Sequence, residues 1–388
     1  MSKERTQKTH LIVDGNLLAR KSFYKFKDLT TTITLENLKA ISVDSAKAER
    51  KKRKIAKDYE KEFRSKGSGK KIKIEENGKI DSKIRELQEK GSAIDIHTGV
   101  LFGMLRSILI ANRKYITGKT VICYDPVYSQ EEPVLPYRKE VYSNYKNRPK
   151  DQSQEDIFNQ GLLLAQSFFY QAGIKQTKTE SFEADDLLHY YTHKVFKDDK
   201  CVVLTNDHDL FQLLVPDRVT MLRLGTSPEI FTAANFKSKY GIKAGLWSQV
   251  QALGGCSTDN VGGVYGISSD TACKLIEQFG SLNELLRQFK AKNSDIIKRV
   301  MTALTKEKDQ NWKNLKQSRQ LTKLYGLDPL LNQHKSVIKS KKSVKVNQEQ
   351  ARIFLIALAF MSFLSEKGVS DLNQFIAKNA NKKKKKGE

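Results

Sequence analysis

The chain has 388 residues, 69 Lys and Arg against 44 Asp and Glu, a formal charge of +25 and 39% apolar residues. This length fits a large domain with one or two smaller additions, and the charge favours a polyanionic partner, nucleic acid foremost, because each phosphate neutralised releases counterions. Four scattered cysteines without a C-x-x-C pair argue against disulfides or a zinc knuckle and for a reducing cytoplasm, while a polar N-terminus and no apolar run of about 18 residues argue against secretion and membrane insertion.

In chain order, the apolar run Leu11 to Asp14 reads as a buried strand that delivers a carboxylate at its C-terminal end, just before Gly15. Residues 44–92 are rich in Lys and Arg and contain a Gly-Ser segment, which reads as a basic insertion, partly helical and partly flexible. A helix is expected over Thr98 to Tyr115, then a strand in TVICYD ending at Asp125, helices over Gln154 to Ala172 and Glu183 to Lys194, and a third such strand in CVVLTND ending at Asp207. Strands that alternate with helices predict an α/β fold with a mainly parallel central sheet flanked by helices, in which a site forms at the carboxyl ends of the strands. After Gly241 the composition changes to short amphipathic helices around the glycine-rich loop Gly254 to Gly266, a second, helical module. An apolar helix is expected over Asn347 to Leu364, and the chain ends in a basic tail containing Lys382 to Lys386. The expected division is an α/β domain over 1–240, a helical module over 241–330, and a C-terminal helix and tail over 331–388.

Acidic residues fall in a specific order: Asp14, Asp125, then Glu183, Asp185 and Asp186 in ESFEADDLL, Asp207 and Asp209 in TNDHDL, and Asp259 in STDNVGG. Taken singly, each is as easily a helix cap or a solvated charge. Gathered at one sheet edge they form an oxygen-only pocket whose negative charge calls for divalent cations, Mg²⁺ or Mn²⁺. Two ions about 4 Å apart can activate water and stabilise the leaving oxygen in phosphodiester hydrolysis, without a Ser or Cys nucleophile.

The succession DGN (Asp14 to Asn16), YD (Tyr124, Asp125), EADD (Glu183 to Asp186), TNDHD (Thr205 to Asp209) and TDNVGGVYGI (Thr258 to Ile267) resembles, in order and spacing, the 5′ nuclease superfamily of flap endonucleases and bacteriophage-type RNase H enzymes. HTGVLFGMLRSI and Tyr137 to Arg148 add to the likeness, which spans roughly residues 9 to 290 without the insertion. The resemblance implies a PIN-like nuclease core with a helix-hairpin-helix-type module. It implies a first metal cluster of Asp14, Asp125, Glu183, Asp185 and Asp186 and a second of Asp207, Asp209 and Asp259, with Asp14 and Asp185 nearest the scissile phosphate. In YRKEVYSNYKNR it marks Arg138, Tyr145, Lys146 and Arg148 as contacts to nucleic acid, Lys146 and Arg148 acting in the transition state. Tyr145-Lys146-Asn147-Arg148 is one residue shorter than the usual Y-K-x-x-R. Gly263 and Gly266 would let the backbone approach duplex phosphates.

The implied activity is a structure-selective 5′ nuclease: 5′ to 3′ exonuclease, flap endonuclease and RNase H action that removes RNA primers or flaps in replication or repair. Expected partners are DNA and RNA/DNA duplexes with 5′ flaps or ends, and single-strand-binding or replisome proteins, with the chain a monomer. The rival readings are a PIN-type ribonuclease, which ordinarily lacks the module after Gly241, and a non-catalytic junction-binding protein, since Cys256 stands where the family's G-D-x-x-D-N pattern has a carboxylate. His189 and His193 lie at i and i+4, but with no Glu after the first and no cysteine pair nearby they read as a surface helix face rather than zinc ligands.

Overall fold

The computed structural model describes residues 7–34, 91, 93–126, 137–147, 151–225, 228–290, 308–324, 339–340, 348–358 and 360–379. Apart from Gly91, the basic insertion 44–92 lies outside the described residues, as do Arg148 and the lysine tail. The described elements in chain order are β1 (Thr9–Asp14), α1 (Gly15–Lys25), β2 (Thr30–Thr34), β3 (Ala93–His97), α2 (Gly99–Tyr115), β4 (Thr120–Cys123), α3 (Tyr137–Val141), α4 (Gln152–Gln171) and β5 (Lys175–Lys178). There follow α5 (Ala184–Tyr190), β6 (Lys200–Leu204), β7 (Val219–Arg223), β8 (Glu229–Phe231), α6 (Ala233–Tyr240), α7 (Trp247–Gly254), α8 (Ser269–Phe279), α9 (Leu282–Lys290), α10 (Lys308–Thr322), β9 (Lys339–Ser340), α11 (Gln348–Ala357) and α12 (Glu366–Asn379).

Seven strands form one sheet in the order β8-β7-β6-β1-β4-β5-β9. β1 pairs parallel with β6, Ile12 opposite Val203, and β6 pairs parallel with β7, whereas β8 and β9 run antiparallel to their neighbours. The central strands are continuous apolar runs because both faces are covered: Leu11, Ile12, Val13 and Val203 are wholly buried. The mainly parallel α/β sheet expected from the strand-helix alternation is therefore present.

The chain forms two compact units that interleave along the sequence. The first comprises residues 1–17, 122–150 and 177–340, and the second residues 18–121, 151–176 and 341–388. In the first, α7 packs against both α8 and α10. Gly241 ends α6 in a left-handed conformation (φ 74°), and Gly280 does the same for α8 (φ 75°).

In the second unit α2 packs on α4, α11 on α4, and α12 on α2. Lys378 Nζ donates to the carbonyls of Asn112 (3.3 Å) and Ile116 (2.8 Å), which ties α12 to the end of α2. The single apolar helix expected over Asn347 to Leu364 is divided: α11 stops at Ala357, and Phe360 and Phe363 turn onto the Phe102 ring at 5.5 and 5.3 Å. No Gly or Pro marks the break; aromatic packing sets it. The helix α12 that follows was not expected from the sequence.

Candidate metal centre

Every acidic residue of the expected site lies in the first unit, on the carboxyl edge of the sheet or on the loops and helix that face it. Asp14 ends β1, its Oδ1 accepting from Leu17 N (3.1 Å) and its Oδ2 from Thr205 Oγ1 (3.1 Å). The DGN motif has a separate reason at each position. A side chain on Gly15 would meet Cys123 O and the Tyr124 ring at 2.6 Å, and Asn16 Oδ1 accepts from Asp125 N at 3.0 Å. Asn16 thus pins the segment that carries Asp125, whose own Oδ1 accepts from Ala184 N, at the start of α5, at 2.9 Å. Thr205 orients a second strand end, since its hydroxyl also accepts from Asp207 N (3.1 Å).

The carboxylates divide into two classes. Glu183 and Asp186 are satisfied by protein cations. Arg138 donates to Asp186 through both Nη1 (2.6 Å) and Nη2 (3.0 Å) and to Glu183 Oε2 (3.1 Å), while its Nε donates to Leu321 O (3.0 Å). Glu183 also accepts from Tyr145 OH (3.0 Å) and Lys146 Nζ (3.0 Å). Burial raises the pKa of Glu183, but Lys146 and Arg138 outweigh it and hold the carboxyl below its ordinary value.

Asp14, Asp125, Asp185, Asp209 and Asp259 go the other way. Burial first, then Asp125 and Asp207, push Asp14 up to about 7. Burial, with Asp207 and Asp259, takes Asp209 to about 6. Burial raises Asp185 well above the carboxylate range against the pull of Lys146, with Asp207 and Asp14 adding to the rise. Asp125 and Asp259 are raised by the same causes, burial leading and Glu183 contributing. These five lack enough positive charge of their own, and oxygen donors so crowded fit hard divalent cations.

Two of the expected nucleic-acid contacts are placed otherwise. Arg138 is 3% exposed with its guanidinium committed to Asp186, Glu183 and Leu321 O, so it is an internal counter-ion and not a surface phosphate clamp. Tyr145 is buried, its hydroxyl donating to Glu183 and Asp259. Asp186, expected as a metal ligand, is held bidentately by Arg138. Lys146 stays accessible, its side chain 38% exposed, with Nζ 3.0 Å from Glu183 Oε1 and 4.0 Å from Asp259 Oδ2. Its backbone is left-handed (φ 49°), an uncommon state for a residue with a side chain, and is held there by Lys146 N donating to Asp259 O (3.2 Å). Asn260, also left-handed (φ 57°), returns the contact through Nδ2 to the carbonyls of Asn144 and Asn147.

The second cluster includes a residue that no acidic pattern reveals. Gln251, inside α7, donates to Asp209 Oδ1 at 2.5 Å. Cys256 Sγ lies 3.7 Å from Asp209 Oδ2, and Asp209, Cys256 and Asp259 each bring a donor atom within 4.8 Å of the others. In the glycine loop, Gly263 (φ 60°) is buried, its amide spent on Ser318 Oγ (3.2 Å), and a Cβ there would meet Gly255 N at 2.4 Å. Its role is therefore packing rather than phosphate contact. Gly266 (φ 81°) is exposed at the loop's tip beside Tyr265, which is 66% exposed. His189 and His193 stack with ring centroids 4.5 Å apart, half-buried, and burial pushes both down to about 4. No carboxylate or thiol joins them in a metal-binding group among the described residues.

A parallel α/β sheet that concentrates buried carboxylates at its carboxyl edge with fewer cations than acids, in one compact unit with a glycine-turned helical pair, defines a cation-demanding α/β protein with an attached helical module. Residues 84–241 match the family model of the 5′-3′ exonuclease N-terminal resolvase-like domain, and residues 242–342 that of the 5′-3′ exonuclease C-terminal SAM fold. The chain belongs to the 5′ nuclease superfamily. It is 33% identical to thermostable DNA polymerase I of Thermus aquaticus over 272 residues, 69% of this chain and 29% of the polymerase. It is 29% identical to flap endonuclease Xni of Psychromonas ingrahamii over 165 residues, 42% of this chain and 62% of that protein. The chain thus spans less than a third of the length of the polymerase. The flap endonuclease of bacteriophage T5, solved with DNA and metal ions, superimposes with a TM-score of 0.51 at 15% identity, covering 91% of this chain and 100% of that one. At that identity the likeness concerns the fold.

Proposed function

We propose that the chain is a structure-selective 5′ nuclease that hydrolyses phosphodiesters near 5′ ends and flaps of DNA and RNA/DNA duplexes, with 5′ to 3′ exonuclease, flap endonuclease and RNase H action. The observation that carries this reading is the segregation of the carboxylates: Glu183 and Asp186 carry protein counter-ions, while Asp14, Asp125, Asp185, Asp209 and Asp259 have raised pKa values that call for cations. Asp14, Asp125 and Asp185 would hold one Mg²⁺ or Mn²⁺, and Asp207, Asp209 and Asp259 a second. When bound, the ions supply an activated water and charge stabilisation for in-line displacement. Lys146, exposed beside Glu183, would offer its ammonium to a non-bridging phosphate oxygen that gains charge. Arg138 fixes the start of α5 and so the direction in which Asp185 is presented.

The family names of the relatives support a nuclease, and a module after Gly241 that a PIN-type ribonuclease would lack is matched over 242–342. The chain acts as a monomer, with single-strand-binding or replisome proteins as further partners. The test is incubation with end-labelled flap, nicked and RNA-primed duplexes, with and without Mg²⁺. Metal-dependent products of defined length from the 5′ side support the proposal. Cleavage of single-stranded RNA alone would indicate a PIN-type ribonuclease, and binding without products a non-catalytic junction binder.

A further inference from the structure

At the opposite edge of the same sheet, where β1, β6 and β7 begin, a groove of about 850 Å³ opens that no carboxylate of the metal centre lines. Its floor is apolar: Val202, Leu214 and Ala244 are buried beneath it, with Pro216 and Ala234 exposed along its walls. Its rim is cationic. Lys200, Lys237 and Lys243 are exposed around it, and Arg218 is held in its wall by Nη1 donating to Thr192 O (2.6 Å), against the single acid Asp217.

An apolar floor inside a basic rim recognises a ligand that is acidic and apolar at once. Nucleic acid uses the basic charge but leaves the floor without purpose, because no aromatic ring lines it for a base to stack on. A wholly apolar ligand leaves the lysines unused. We propose that this groove is a docking site for an extended, acidic segment of a partner protein whose apolar side chains enter the floor while its carboxylates meet Lys200, Lys237, Lys243 and Arg218. Its place at the N-terminal strand edge lets a partner bind while the carboxyl edge faces substrate. The proposal does not depend on the nuclease reading.

The probe is a fluorescein-labelled twelve-residue peptide alternating Asp and Leu, followed by anisotropy with the full chain. It binds, and added salt weakens binding. Lys237→Glu with Lys243→Glu lowers affinity by about tenfold or more, as expected for reversed rim charges. Gly245→Phe also lowers it: Gly245 lines the groove, a side chain there meets nothing within 4 Å and the backbone is not left-handed, so a bulky ring is added at the groove without strain. Circular dichroism establishes that both variants fold. No binding of the Asp-Leu peptide, equal binding of a Lys-Leu peptide, or indifference to both variants would overturn the proposal. Displacement by a twelve-nucleotide oligothymidylate as effective as by unlabelled peptide would overturn it in favour of a nucleic-acid contact, and full displacement by inorganic phosphate in favour of an anion site.

Discussion

Lys146 Nζ lies 3.0 Å from Glu183 Oε1, the same carboxylate whose other oxygen receives Arg138 and Tyr145. One buried glutamate therefore aligns an internal guanidinium on one side and an accessible ammonium on the other. Lys146→Ala is expected to lower kcat by about a hundredfold or more while changing substrate affinity much less, as for a group that stabilises charge developing in the transition state. Single-turnover cleavage and binding of a labelled flap separate the two. A loss confined to affinity would make Lys146 a positioning contact.

Asp185→Asn is expected to nearly abolish cleavage and leave flap binding intact, because it removes a proposed cation ligand and relieves repulsion with Asp207 and Asp14. Retained turnover would sink the assignment of Asp185 to the metal centre.

Arg138→Ala tests the internal counter-ion. Removing the guanidinium leaves Asp186, 1% exposed, and Glu183 buried without it, at a cost of roughly 3–5 kcal/mol. Arg138→Lys recovers only part of that, since an ammonium cannot match two oxygens in a fork. Urea unfolding measures both. A destabilisation below about 1 kcal/mol, with weaker DNA binding, would return Arg138 to the surface role expected from the sequence.

The raised carboxylates make the metal-free protein less stable as pH rises. A folded pKa above the unfolded one means that the contribution is fully present below the unfolded value, 3.8, and is lost as pH rises through about 6 for Asp209 and about 7 for Asp14. Two kinds of group have the opposite sign: Glu183, whose contribution is lost as pH falls through its lowered value, and His189 and His193, which burial pushes down to about 4 and whose effect ends above their ordinary 6.5, so the window from pH 6.5 to 8 isolates the raised carboxylates. Calorimetry without metal should show the melting temperature falling by a few degrees across that window, and Mg²⁺ should restore more at pH 8 than at pH 5.5. Asp14→Asn should flatten the slope, and a flat profile in the wild type would show that the carboxylates are not crowded in solution.

The strands and the acidic order were legible because each signal is local: an apolar run that ends in an acid needs only the period of a buried strand. What remained hidden rests on distant partners. Arg138 and Asp186 are 48 positions apart, and nothing in YRKEVYSNYKNR distinguishes an arginine that turns inward from one that reaches phosphate. Gln251 sits in a helix without any pattern that points at Asp209. Residues 347–364 contain neither Gly nor Pro, so the break after Ala357 has no breaker in the sequence and follows from Phe360 and Phe363 meeting Phe102.

Cys256 offers the sharpest test of the second cluster. Its Sγ is 3.7 Å from Asp209 Oδ2 and 2.9 Å from Thr258 Oγ1, so the half-buried side chain faces the acids. Burial and Asp209 push the thiol up to about 11, which keeps it neutral, and a neutral sulfur is a poor ligand for hard Mg²⁺. The second cluster is thereby one charge short of the G-D-x-x-D-N pattern expected from the family resemblance. Cys256→Asp adds an oxygen donor at that place and is expected to lower the Mg²⁺ concentration needed for half-maximal cleavage by about tenfold, the scale on which ligand changes shift metal affinity. Without metal the added charge meets Asp209 and Asp259, so the variant should melt lower than wild type at pH 8 and gain more from Mg²⁺. Cys256→Ser, neutral and similar in shape, should resemble wild type in both measurements. A well-folded Cys256→Asp with an unchanged or higher Mg²⁺ requirement would show that Asp207, Asp209 and Asp259 hold the ion without any contribution from this position.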